Sequence, residues 1–141
     1  MKKILVAFFL LFASVAGFAQ CGKNVILTAS KTEYLDAAMN VQHTVDEHTI
    51  ITLRDSTVTI TPGDDAHKMT GIIKSKSCIW TVPFKEGKST VTTTITDENG
   101  RVKNLTITIE GNGGKLTFLA EIDEMPDRKI RVSVDTFEAE K

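Results

Sequence analysis

The chain is poor in the residues from which metal, redox and hydrolytic centres are built. Its 141 residues include three histidines, two cysteines, one tryptophan and one tyrosine. Neither Gly-x-Ser-x-Gly nor His-Glu-x-x-His occurs, which excludes the nucleophile elbow of the α/β-hydrolases and the zinc-peptidase helix. A helical period is also lacking: beyond the N-terminus only a turn-like stretch at Asp36 to Asn40 departs from extended patterning. There is no internal repeat of solenoid length and no low-complexity segment. No sign of charge dominates, with 17 Lys and Arg against 18 Asp and Glu. A basic footprint supplies most of the affinity for nucleic acid, and a polybasic stretch attaches proteins to anionic lipid; this sequence has neither. Long apolar runs are confined to the first nineteen residues, so no later segment can span a bilayer as a helix.

That one run has a specific form. Met1-Lys2-Lys3 is a basic start, Ile4 to Ala16 is almost unbroken apolar sequence, and Gly17 and Ala19 place small residues just before Gln20. The pattern predicts a signal peptide over 1–19 and a mature domain over 20–141, exported to a periplasmic or extracellular location. A mature chain of 122 residues is long enough for one core without metals or cross-links. Losing Lys2 and Lys3 leaves 15 basic residues against 18 acidic ones, a net charge of −3. An oxidising compartment permits a Cys21–Cys78 disulfide. The alternatives are two reduced thiols, with Cys78 packed as a small hydrophobe, or a lipid on Cys21. A lipoprotein signal wants a small residue where Gln20 stands, which argues against the lipid.

What the sequence has in abundance is alternation. Val58 and Ile60 are interleaved with threonines. Cys78, Trp80, Val82 and Phe84 share one parity. Val91, Thr93 and Ile95 alternate with Thr92, Thr94 and Thr96, and Leu105, Ile107 and Ile109 with Thr106 and Thr108. Leu116, Phe118, Ala120 and Ile122 form a further set, as do Ile130, Val132 and Val134. A period of two with threonine on the polar face marks strands buried on one side. Asn99-Gly100, Gly111 to Gly114, Glu86-Gly87-Lys88, Pro62-Gly63 and Met125-Pro126-Asp127 are the turns. Roughly eight or nine strands are expected, near 24–35, 41–53, 57–62, 68–76, 77–84, 89–97, 102–110, 115–122 and 129–137. Short connections pair each strand with its sequence neighbour, and a long meander removes its exposed edges by closing. The expected fold is therefore an all-β antiparallel up-and-down meander closed into a barrel, with a β-sandwich as the alternative.

The opening strand and turn, Leu27 to Val41, the unit Ile79-Trp80-Thr81-Val82, and the hairpin meander from Ser89 to Phe137 resemble the small lipocalin-like (calycin-type) β-barrels secreted by bacteria. The resemblance implies a cup-shaped barrel that holds a small apolar molecule, or one kept as a scaffold.

Candidate functional residues are few. Trp80, Phe84 and Phe118 have the inward parity of their strands and are the expected lining of a ligand cavity; core packing is the plainer reading of the same parity. Tyr34 lies on the opposite parity from Val25, Leu27 and Leu35 and is expected to be exposed. His43 and His48 sit an odd number of residues apart, so a strand turns them to opposite faces and away from a shared metal. Asp64, Asp65 and His67 are possible cation ligands but read more simply as a solvated acidic turn, and Asp97-Glu98-Asn99 as a hairpin turn. Asp123 and Glu124 show no second acid converging on a cleft. Asn104-Leu105-Thr106 matches a glycosylation sequon. The expectation is a non-catalytic exported protein without metal or cofactor, whose partner is a small hydrophobic ligand or an unknown envelope protein.

Overall fold

The computed structural model describes residues 23–63, 68–97 and 99–140. The expected signal peptide, Cys21 and the Asp64–His67 loop lie outside the described residues. Eight strands follow one another: β1 (Val25–Leu35), β2 (Val41–Leu53), β3 (Thr57–Pro62), β4 (Met69–Val82), β5 (Glu86–Thr96), β6 (Val102–Asn112), β7 (Lys115–Ile122) and β8 (Met125–Ala139). Each is antiparallel to the next, and β8 pairs back to β1 through Val25↔Ala139 and Tyr34↔Ile130, closing the barrel. The architecture is all-β, with no helix among the described residues. A sandwich is thereby replaced by the closed meander, which is compatible with a lipocalin-like fold.

The two strands expected at 68–76 and 77–84 are one continuous β4. Gly71 is buried facing inward, and so is Trp80, on the opposite parity. Between them the pairing with β5 shifts register from Ile73 to Ser75. A bulge inserts one unpaired residue and turns all later side chains to the other face. The change of parity that suggests a strand break is this bulge. A second shift between Trp80 and Val82 leaves Val82 44% exposed, although its sequence parity points inward. Comparable shifts occur in β1 between Ala29 and Lys31 and where β8 crosses β1 near Thr136. Bulges increase local twist and bend, which a sheet of eight strands needs in order to close.

The inward face is apolar. Leu27, Ile51, Val58, Val91, Ile107 and Ile109 are each exposed by 1% or less. The outward face of β5 and β6 carries cross-strand threonine pairs, Thr90↔Thr108 and Thr92↔Thr106. Apolar inside and polar outside is the reverse of a barrel that faces lipid. No helix of the described residues is long and apolar enough to cross a membrane.

The barrel has unlike ends. At one end lie the β2–β3, β4–β5 and β6–β7 turns, and that end is filled. Phe137 meets Trp80 at 5.6 Å between ring centroids and Phe84 edge-on at 4.8 Å. The Trp80 indole Nε1–H donates to Ser89 Oγ at 2.8 Å, and Ser89 Oγ–H to Cys78 Sγ at 3.3 Å. Phe84 sits in the β4–β5 turn at φ 65°, a left-handed conformation that its packing on Phe137 maintains. The same turn presses on β6: a Cβ at Gly111 would lie 2.3 Å from the Lys85 carbonyl oxygen. The void left beside Cys78 and Phe137 is about 20 Å³.

Candidate functional site

The other end, which carries the β1–β2, β3–β4, β5–β6 and β7–β8 connections, encloses a cavity of about 300 Å³. Its deeper wall is made by inward residues of successive strands, among them Ile51, Ile60, Ile95, Leu105, Phe118 and Val132. Alternation along each strand places them there, and register sets their height along the barrel axis. On β2 the alternation Glu47, Thr49, Ile51, Leu53 runs from the mouth to the filled end, so polarity on the inner face rises toward the opening.

Among the described residues, six polar side chains line the cavity: Thr32, Tyr34, Glu47, Thr49, Asp97 and Lys103. Thr49 is 3% exposed, and its Oγ1 has no hydrogen-bond partner among the described residues. Tyr34 is 38% exposed, as its sequence parity suggested. The bulge in β1 nevertheless gives it the parity of the buried Thr32, and its side chain borders the cavity mouth. Partial burial, and after it the negative charge of Glu47, hold its phenol above the ordinary value, so it stays protonated and able to donate. His43 stacks on the Tyr34 ring at 5.9 Å. Above the mouth a vestibule of about 460 Å³ shares Tyr34, Lys103, Ile122 and Ile130 with the cavity and adds Gln42, Met125 and Arg128.

The loops around the mouth are braced by carboxylates. In the β1–β2 connection Asp36 Oδ1 accepts the backbone N–H of Asn40 at 2.9 Å and of Ala38 at 3.0 Å. In the β5–β6 connection Asp97 Oδ1 accepts those of Arg101 and Asn99, each at 2.9 Å. In the β7–β8 connection Glu124 Oε1 accepts the backbone N–H of Asn104 at 2.8 Å. These backbone donors hold all three carboxyls below their ordinary values, by favouring the charged form. Asp97 thus serves its turn, as its place in a hairpin suggested, and Lys103 and Arg101 add to the effect.

The aromatic residues singled out in the sequence separate in space. Phe118 is 2% exposed and lines the cavity. Trp80 and Phe84 belong to the cluster at the filled end, against Phe137, and are not among the cavity's lining residues. Cys78 is disulfide-bonded at the same end; Cys21, its expected partner, lies outside the described residues, as do Asp64, Asp65 and His67. Among the described residues no group of three or more His, Cys, Asp and Glu side chains is placed to hold a metal ion. Of the polar cavity residues, Tyr34 and Asp97 stand out in the sequence for other reasons, whereas Thr32, Glu47, Thr49 and Lys103 belong to no motif; for Glu47 and Thr49 the signal is their spacing with Ile51 and Leu53. Comparison of the chain with protein-family models, curated proteins and solved structures finds no significant match.

Proposed function

We propose that this protein is an exported, non-catalytic lipocalin-like carrier that takes a small apolar or amphipathic molecule into the open half of its barrel. The observation that carries this reading is the contrast between the two ends: one is packed with aromatic rings, while the other keeps about 300 Å³ behind a polar mouth. Sites for small molecules are concave and mostly apolar, with a few placed polar groups, and begin at about this volume. The space equals about ten water molecules, so a ligand of roughly ten carbon atoms fills it. Periplasmic or extracellular residence follows the N-terminal leader pattern, and a Cys21–Cys78 bond would suit it.

Native mass spectrometry of the protein purified from its own source tests the proposal. The expected result is an added mass of a small molecule that is lost on denaturation, on a chain two hydrogens lighter than the dithiol form. A second reading, an interaction module of the cell envelope, draws on the exposure of Ile72 (67%) and Ile79 (73%) on the outer face of β4. Co-purification with another protein chain, and no small-molecule adduct, would overturn the carrier in favour of that module.

A further inference from the structure

We infer that the cavity selects an apolar molecule bearing one uncharged hydrogen-bonding group, a hydroxyl or a carbonyl, and that Thr49 Oγ1 is the group that recognises it. This rests on the carrier reading and narrows it to a ligand class. Buried polar atoms in folded proteins are nearly always paired, and an orphan calls for a partner outside the chain. Thr49 bears such an atom: it is 3% exposed and lines the cavity, and its Oγ1 has no partner among the described residues. Its cross-strand neighbours bring no polar side chain to it: they are Ala29 on β1 and Pro62 on β3, and Pro62 lacks a backbone N–H as well. One step deeper on the same face stands Ile51. A single hydroxyl set in an apolar wall is how a pocket fixes the orientation of a largely apolar ligand.

Charge on the ligand is disfavoured at that depth. An anion beside Thr49 would meet Glu47, the next inward residue toward the mouth, and among the described lining residues the cation is Lys103 of β6. A cation would leave water for a wall of Ile51, Ile60, Ile95 and Phe118. Glu47 also acts electrostatically on Tyr34 at the mouth. A neutral hydroxyl or carbonyl satisfies Thr49 without that cost.

Three compounds of one shape decide the matter: cyclooctane, cyclooctanol and cyclooctylamine, titrated into the full mature protein by calorimetry and by protein-observed NMR. Cyclooctanol is expected to bind about tenfold or more tighter than cyclooctane, because a neutral hydrogen bond to a buried orphan group is gained. Thr49→Val is expected to abolish that preference while cyclooctane still binds, and to raise the melting temperature of the unliganded protein by removing an unpaired buried hydroxyl. Thr49→Ser, which keeps the hydroxyl, is expected to retain the preference and guards against a misfolded valine variant. Equal binding of cyclooctane and cyclooctanol, or a preference that survives Thr49→Val, would overturn the role of Thr49 and leave the carrier standing. Tightest binding of cyclooctylamine would overturn the uncharged class. Failure of all three compounds to bind would overturn the carrier reading itself.

Discussion

Asn104, on the outer face of β6, joins four neighbouring segments. Its backbone N–H and its Nδ2–H both donate to Glu124, at 2.8 Å and 3.0 Å. Its Oδ1 accepts Lys74 Nζ–H at 2.8 Å and Thr94 Oγ1–H at 3.1 Å, and its carbonyl accepts the N–H of Asp123 at 2.9 Å. One amide therefore ties β4, β5 and the β7–β8 turn to β6. Asn104→Ala is expected to lower the melting temperature by roughly 3–6 °C, by removing the side-chain bonds to Glu124, Lys74 and Thr94, as differential scanning calorimetry will measure. The side-chain amide of this sequon residue is engaged at both its nitrogen and its oxygen, which gives the residue a structural role. The aromatic residues teach a related lesson. Trp80 and Phe118 are both inward by parity and both nearly fully buried, yet one seals the filled end and the other borders the cavity. Parity in a sequence gives the face of a side chain; depth along the barrel comes from register, which depends on every strand at once.

Among the elements, β5, β6 and β7 are the ones whose sequences translate directly into structure. Their alternation is unbroken, and Val91, Ile95, Ile107, Ile109, Phe118 and Ala120 all face in as their spacing implies. The strands that resist reading are β1, β4 and β8, because each contains a bulge and a bulge reverses parity without a turn residue to announce it. Hence in sequence one long strand reads as two, Val82 reads as buried, and Tyr34 reads as remote from the interior. Glu47 and Thr49 are hard to place from sequence for another reason: polar residues on an inner face weaken the very alternation by which a strand is recognised. The turns at the filled end carry their own signature in glycine. Gly111 admits the Lys85 carbonyl where any side chain would collide with it. Gly111→Ala is expected to destabilise the barrel by about 1–3 kcal/mol, the usual cost of forcing backbone apart in a packed region. Urea denaturation will measure that loss. Binding of cyclooctanol below the transition should be unchanged, because the strained turn and the cavity lie at opposite ends.

For the whole molecule, the distribution of ionisable groups makes the two ends respond differently to acid. The filled end is held by rings, by the uncharged pair of Trp80 Nε1–H and Ser89 Oγ, and by one lowered carboxyl, Glu140, which Arg54 of the β2–β3 turn pairs at 2.8 Å on the surface, against three lowered carboxyls at the mouth. At the mouth, the loops after β1, β5 and β7 are braced by Asp36, Asp97 and Glu124, whose ordinary values near 3.8, 3.8 and 4.5 are lowered in the folded protein. A carboxyl lowered by folding binds its proton less readily in the native state than in the unfolded one. Its stabilising contribution is complete above the ordinary value and is lost as pH falls through the lowered one. Loop stability at the mouth should therefore be level from about pH 8 to about pH 5 and decline below about pH 4. Amide hydrogen exchange followed by NMR is expected to show Ala38, Asn40, Asn99, Arg101 and Asn104 losing protection in that range, while the Trp80 indole proton keeps its own. Asp36→Asn retains an acceptor oxygen but cannot titrate, so it should abolish the acid response of Ala38 and Asn40 and leave that of Asn99 and Arg101 intact. Uniform loss of protection at both ends would mean that acid unfolds the barrel as one unit, and the mouth would have no separate pH response.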